Sequence, residues 1–462
     1  METSLRICIN MLLIIGTCSL IYWPRAYHEG FFIPLRYELV YTVASFCFGL
    51  YFLSQLIRGR VSFDKEDRNI GIALSVLLIS VLFATLFSFI RYNLAFNLVG
   101  VASLLKILLG VTTFTTIYYI LKNELSNTNY KLLSWALILP SSTLIPFVFF
   151  PDVAKILGFV TAAQGYRFMG LTVNPCAMDM IVIVAFAYSY SLLMFNFIKR
   201  GTLLLTIVYS ILTVGFSALI FWSQSRSFCI AMFLIVSLVS IIYGFYFKNT
   251  VWKKIISLLI GMGLTLSGIL FIPAMAKYFF IYGKILGVSA DQMQQDRNVA
   301  IRAKESNRSL QTGKANIELI NTTKINGRKK YHLSDTDIVK YMKKDPRVMM
   351  WKYNFSMILN YPFGVGVNYQ PRFSYKWMNY FLPPVFLFNV WAWGGIFAFL
   401  SICYLLWKPF LTFKNELLIN SELIPYHVGA VTSIIISCFI SLFYGLPLDY
   451  LGFWVVLALA IV

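Results

Sequence analysis

Charge is scarce in this chain: 13% of its 462 residues are Asp, Glu, Lys or Arg, where soluble domains carry about 25%. That scarcity excludes a water-soluble globular protein of this length. Histidine is scarcer still. His28, His332 and His427 lie far apart, which argues against a histidine-rich metal centre. The seven cysteines (Cys8, Cys18, Cys47, Cys176, Cys229, Cys403 and Cys438) all fall in or at the ends of apolar runs, and no CxxC occurs. A disulfide framework or thiolate metal site is therefore not expected. A Walker phosphate loop, a GxGxxG helix unit, an HExxH pair and a serine elbow are also missing, so an ATP-driven pump is not supported. No metal, no cofactor and no nucleic-acid partner is expected.

What the chain does have is hydrophobic length. Hydrophobic residues make up 59% of it, and aromatics 17%. Apolar runs recur at approximately 5–23, 38–57, 69–90, 97–121, 132–150, 176–198, 202–222, 228–247, 255–275, 381–407, 423–444 and 447–462. Each is close to the ~20 residues that a helix needs to cross a hydrocarbon layer of about 30 Å. Lipid cannot satisfy open backbone groups and no alternating barrel pattern appears, so the expected fold is an all-α polytopic membrane protein with about twelve spans. The first run, Met11–Trp23, lacks a following small-x-small cleavage site and reads as a first span. The bilayer is the first expected partner.

One long polar stretch interrupts these runs. Between Lys277 and Arg347 stand 15 Lys/Arg and 7 Asp/Glu. The expected organisation is therefore 1–275 with nine spans, 276–380 as a large outer loop, and 381–462 with three more. Short-loop charge sets the orientation. With the N-terminus inside, the inner segments carry 14 Lys/Arg, among them Arg58, Lys131, Lys199 and Lys408, and the short outer loops carry 6. Both termini are then cytoplasmic. The long loop escapes the rule because loops beyond about 60 residues translocate largely regardless of charge. No internal repeat is found.

Within the loop, Asn298–Lys330 is polar and reads as mobile. After Pro346 the apolar residues Met349, Trp351, Phe355, Met357 and Ile358 fall near helical spacing, predicting an amphipathic helix at the outer membrane face. Tyr361-Pro362 breaks it, and Phe363-Gly364-Val365-Gly366-Val367 is turn-forming. His332, Glu305, Glu318, Asp335 and Asp337 show no spacing that marks a general base, and read as solvated.

Three outer-face arginines stand out. Arg167 precedes Asn174-Pro175 at the start of the sixth span. Arg226 sits in the hairpin Ser223-Gln224-Ser225-Arg226-Ser227, and Arg347 in Asp345-Pro346-Arg347. A charge beside hydrocarbon is costly unless paired or hydrated. Guanidinium matches phosphate oxygens bidentately and stays charged, so the three suit a pyrophosphate. Alternatively, each snorkels to the interface as an anchor. Asp179, one turn into the sixth span, reads as a partner for Arg167 or as a carboxylate at a helix N-terminus. Lys106, midway along the fourth span, reads as a paired charge or a wet cavity. Tyr375, Trp377, Tyr380, Phe381, Trp391 and Trp393 crowd the outer end of the tenth span, as an interfacial belt or as sugar-stacking faces.

Together these features resemble the O-antigen polymerases (Wzy type) and the related O-antigen ligases of bacterial envelopes. The topology is similar throughout, and three motifs carry the local resemblance. Arg167-Phe168-Met169-Gly170 leading to Asn174-Pro175 is similar to the family's Arg-x-x-Gly…Asn-Pro run. Ser225-Arg226-Ser227 is similar to its Ser-Arg outer hairpin. Arg347…Trp351, followed by Pro362-Phe363-Gly364-Val365-Gly366, is similar to its Arg…Trp…Pro-x-Gly-x-Gly block.

The resemblance implies a glycosyltransferase of the bacterial inner membrane that uses no nucleotide sugar and no metal. Its substrate would be undecaprenyl-pyrophosphate-linked oligosaccharide, with the growing glycan passed from one carrier to the non-reducing end of the next. A chain-length regulator is an expected partner. Arg167, Arg226 and Arg347 would hold the leaving pyrophosphate, while Asn174, Asp179, Trp351, Gly364, Gly366 and Tyr375 would line the substrate. One departure separates the two branches: counting back from Gly394 or Gly395 to the place of the ligases' histidine lands on Pro383 and Pro384. A ligase is the less favoured member. From another class, a lipid-linked oligosaccharide flippase or other secondary transporter is the alternative, kept open by Lys106 and Asp179.

Overall fold

The chain forms helices wherever long apolar runs are described. The computed structural model describes residues 35–59, 63–91, 98–123, 127–157, 159–161, 167–168, 175–199, 201–223, 225–247, 251–270, 359–367, 386–416, 422–440 and 451–462. In chain order these contain α1 (Leu35–Ile57), α2 (Lys65–Arg91), α3 (Leu98–Asn123), α4 (Asn127–Ser142), and the short α5 (Pro146–Phe149) and α6 (Pro151–Ile156). The pair β1 (Val160–Thr161) and β2 (Arg167–Phe168) follows. Then come α7 (Pro175–Ile198), α8 (Leu203–Ser223), α9 (Arg226–Tyr246), α10 (Val251–Leu270), α11 (Phe386–Glu416), α12 (Ile424–Ile440) and α13 (Leu451–Ile461).

Among the described residues, six helical stretches are long and apolar enough to cross a membrane: Lys65–Ile90, Tyr130–Phe149, Met178–Ile198, Leu203–Ser223, Ser227–Phe245 and Asn389–Leu411. The first predicted span lies outside the described residues, as does the amphipathic segment after Pro346 up to Ile358; Leu359 and Asn360 are helical.

The described residues fall into two compact units, one drawn from Met1–Ala44, Leu121–Ile317 and Lys414–Ile436, the other from Ser45–Ile120, Glu318–Phe413 and Ser437–Val462. In the first unit α7 is central, packed by α4, α8 and α9. Its sequence is apolar all round, as a helix with no exposed face must be, and Met178–Met194 is buried on every side. Pro175 opens it, where a missing N–H costs nothing. Apolar surface gives little drive for helices to associate in lipid, so polar contacts and close packing hold such a bundle. Ser191 Oγ donates to the Pro425 carbonyl (2.6 Å) and lies 2.8 Å from Tyr243 Oη, and Tyr190 Oη lies 3.1 Å from Ser240 Oγ. These bonds tie α7 to α9 and α12. In contrast, the first half of α8 presents Leu203, Leu204, Ile207 and Ile211 outward, as a lipid-facing helix does.

At the end of this unit where α4 and α12 begin, Lys131 Nζ donates to Glu422 Oε2 at 2.7 Å. Lys131 holds the Glu422 carboxyl below its ordinary range, aided by the charge of Lys199. A carboxyl with a lowered folded-state pKa stabilises the fold above its unfolded pKa of about 4.3, and the contribution disappears as pH falls through the folded value. Glu422→Gln is therefore expected to flatten the acid-side fall of the thermal midpoint between about pH 5 and 3, with no change at neutral pH beyond the small worth of an exposed pair. Thermal melts of the detergent-solubilised protein across that range, with and without high salt, check this.

In the second unit, α2 starts with a reciprocal cap: Asp67 N–H donates to Asp64 Oδ1 (2.8 Å) and Asp64 N–H to Asp67 Oδ2 (3.0 Å). Lys408 of α11 pairs with Glu66 beside it. Phe114 of α3 meets Trp454 of α13 edge-on, with ring centroids 6.4 Å apart.

The unusual feature here is a break inside α11. Gly395 has φ 73° and ψ −166°, a region essentially reserved for glycine. A break opens carbonyls and amides that hydrocarbon cannot satisfy, and the segment Tyr361–Val367 takes them up. Val365 N–H donates to the Ala392 carbonyl (2.6 Å), Gly366 N–H to that of Trp393 (3.1 Å), and Ile396 N–H to that of Pro362 (2.9 Å). Val367 N–H finishes the join on Thr85 Oγ1 of α2 at 3.1 Å. Gly364 and Gly366 turn the segment at φ 82° and 85°. The turn expected from the glycines is present, and it is seated in a broken helix.

Candidate functional site

One group of polar, chemistry-bearing residues of the first unit lies where α7 begins, α8 ends and α9 begins. β2 runs antiparallel to β1, with Thr161 opposite Arg167 and Val160 opposite Phe168. A two-residue ladder carries no sequence signal of its own; what fixes it is Phe168. This ring is fully buried, 6.1 Å from Phe159 and 4.8 Å from Trp222 of α8 by centroids. The backbone of Arg167 is thereby anchored one residue from a ring that packs on the last turn of α8.

Trp222 leads directly to Ser223, and there the acid enters. Asp179, 1% exposed, accepts a hydrogen bond from Ser223 Oγ at 2.7 Å. The same Ser223 oxygen accepts from the Ser225 amide at 3.3 Å. Asp179 sits one turn into α7, which begins at Pro175. Ser223, at the end of α8, is thus one partner of Asp179. Ser225, with extended backbone (φ −89°, ψ 104°), is the N-cap of α9, and Arg226 is its first helical residue. A cation at that position faces the positive end of the helix and costs about 0.3–1 kcal/mol. A residue set against such a local rule is a functional candidate.

Arg167, Asp179 and Arg226 are thus brought to one end of one helical group through the chain Phe168–Trp222–Ser223–Asp179 and the Ser223–Ser225 turn. Asn174, Arg347, Trp351 and Tyr375 lie outside the described residues. Gly364 and Gly366 belong to the second unit, where their amides are spent on the carbonyls of Tyr361 and Trp393. Lys106 lies within α3. Among the described residues, no group of three or more His, Cys, Asp or Glu is placed to hold a metal ion.

Reading the sequence for charge finds Arg226 but passes over its neighbours. Trp222 reads as an apolar residue at a span end, and Ser223 and Ser225 as turn formers. Their role shows only when hydrogen-bond partners are counted. No known family model, no curated protein and no solved structure matches the chain.

Proposed function

We propose that the chain is a polymerase of lipid-linked oligosaccharide repeats in the inner membrane of a bacterium, with twelve spans, both termini in the cytoplasm and its chemistry at the outer face. The reading is supported by the gathering of Arg167, Asp179 and Arg226 at one end of the α7–α9 group. At the opposite end stands the Lys131–Glu422 pair, on the side that the charge rule assigns to the cytoplasm. In the proposed reaction a sugar hydroxyl of the acceptor repeat attacks the anomeric carbon of the donor glycan. The bond from that carbon to the pyrophosphate oxygen breaks, its electron pair leaves with undecaprenyl pyrophosphate, and the hydroxyl proton passes to a base. Arg167 and Arg226, joined by Arg347 from the loop, stabilise the charge that develops on the leaving group. Asp179 holds the hairpin that presents Arg226.

A second reading is favoured by one observation. Discontinuous helices mark the sites of many secondary transporters, and α11 is discontinuous at Gly395. A flippase for the same lipid-linked repeat is therefore the competing function. Deleting the gene separates the two. A polymerase deletion is expected to leave surface glycan of a single repeat, seen as one band where the parent gives a ladder. Repeats trapped on their carrier at the cytoplasmic face would establish the flippase instead, and complete loss of capped glycan with outward-facing repeats would establish a ligase.

A further inference from the structure

Two donors at the α8–α9 hairpin are left open by the fold. Ser225 and Trp222 are each 1% exposed, and neither Ser225 Oγ nor Trp222 Nε1 has a hydrogen-bond partner. Buried polar groups are almost always satisfied, and one that is not asks for an explanation. Packing does not supply it. Phe168 fixes the indole from one side, and the turn is already closed by Ser225 N–H on Ser223 Oγ. Ser225 is also a serine at the N-cap of a 21-residue helix whose hydroxyl makes no capping bond, although capping is what serine at that position ordinarily does.

The unspent groups of the hairpin are donors, set beside the Asp179 carboxylate that accepts from Ser223. An indole N–H can only donate, a serine hydroxyl donates readily, the first turn of α9 carries partial positive charge, and Arg226 begins it. The nearby acceptor, Asp179, accepts from Ser223, and neither Ser225 Oγ nor Trp222 Nε1 bonds to it. What fits such a place is a ligand made of acceptors with negative charge, as phosphoryl oxygens are. We infer that Ser225 Oγ–H and Trp222 Nε1–H are neutral donors to a phosphoryl oxygen of the substrate at the N-terminus of α9. This rests on the pyrophosphate reading above and adds to it two substrate contacts that carry no charge. The fold leaves both donors unspent, so their removal costs the unliganded protein nothing.

That asymmetry makes the test. The detergent-solubilised full chain is titrated with farnesyl pyrophosphate and, separately, with inorganic pyrophosphate, following the thermal midpoint and tryptophan emission. Ser225→Ala is expected to bind farnesyl pyrophosphate about tenfold more weakly, as loss of one hydrogen bond to a charged group predicts. Its midpoint without probe should be equal to or above that of the parent. Trp222→Phe, which keeps a ring against Phe168, is expected to weaken binding in the same direction. A Ser225→Ala protein with parental affinity, or with a lowered midpoint before any probe is added, overturns the inference and leaves the pyrophosphate reading standing. Parental protein that binds neither probe overturns both. Binding of inorganic pyrophosphate as tight as that of the lipid shows that the headgroup alone is recognised. Binding of the lipid form alone identifies the carrier as its source, and the donor assignment holds in either case.

Discussion

Arg226→Ala is expected to abolish chain extension, collapsing the surface-glycan ladder to its lowest band while the protein remains in the membrane at parental level. Removal of a single donor that stabilises charge in a transition state costs about 10²–10³ in rate, enough to erase a processive product. The same substitution relieves the helix N-terminus of a misplaced cation, so the thermal midpoint should hold or rise. Loss of product without loss of fold is the signature that separates a substrate contact from an anchor. Arg226→Lys is expected to fail as well, because a point charge does not reproduce the paired contacts of guanidinium. Arg167→Ala should give the same short product. Retained ladders in both alanine variants would remove the pyrophosphate assignment, and a parental ladder from Arg226→Lys would reduce it to a simple charge effect.

The largest structural effect is expected at the break in α11. An alanine at Gly395 would place its Cβ 2.5 Å from backbone atoms of Phe363 and 2.7 Å from the Pro362 oxygen. At Gly364 the Cβ would sit 2.6 Å from the Gly395 nitrogen. Both residues also hold positive φ, which for a side-chain-bearing residue in such regions costs about 1–3 kcal/mol before any clash. Since the opposing atoms are main chain, nothing flexible can give way. Gly395→Ala and Gly364→Ala are each expected to remove most folded protein, read as loss of the monodisperse peak of a fluorescent fusion and a fall in thermal midpoint. Gly71→Ala is the matched control. It lies in α2 with nothing within 4 Å of the added atom, and a helical Gly→Ala gains about 0.5–1 kcal/mol. Normal yields from Gly395→Ala would show that the break is not required.

Helix positions were legible because a bilayer-length apolar run is a long, local signal. α7, α8 and α9 begin and end within a few residues of the runs 176–198, 202–222 and 228–247. Burial was less legible. α7 and α8 are similarly apolar, yet α7 is enclosed and half of α8 faces outward, since lipid and protein interior ask for the same side chains. The break in α11 could not be read at all. Paired glycines inside an apolar run are ordinary in a membrane helix, and the segment that satisfies the opened backbone lies upstream across the residues before Phe386. At the candidate site, charge picked out Arg167, Asp179 and Arg226. Ser223, Ser225 and Trp222 needed the fold, because an unspent hydrogen-bond donor has no composition.

The join between Tyr361–Val367 and α11 bears on how that helix can lie in lipid. Segment and helix meet through main-chain groups. Helix α11 entering the bilayer by itself would carry the bare carbonyls of Ala392 and Trp393 into hydrocarbon. The docked segment is therefore what lets a broken α11 lie in hydrocarbon with its main chain satisfied.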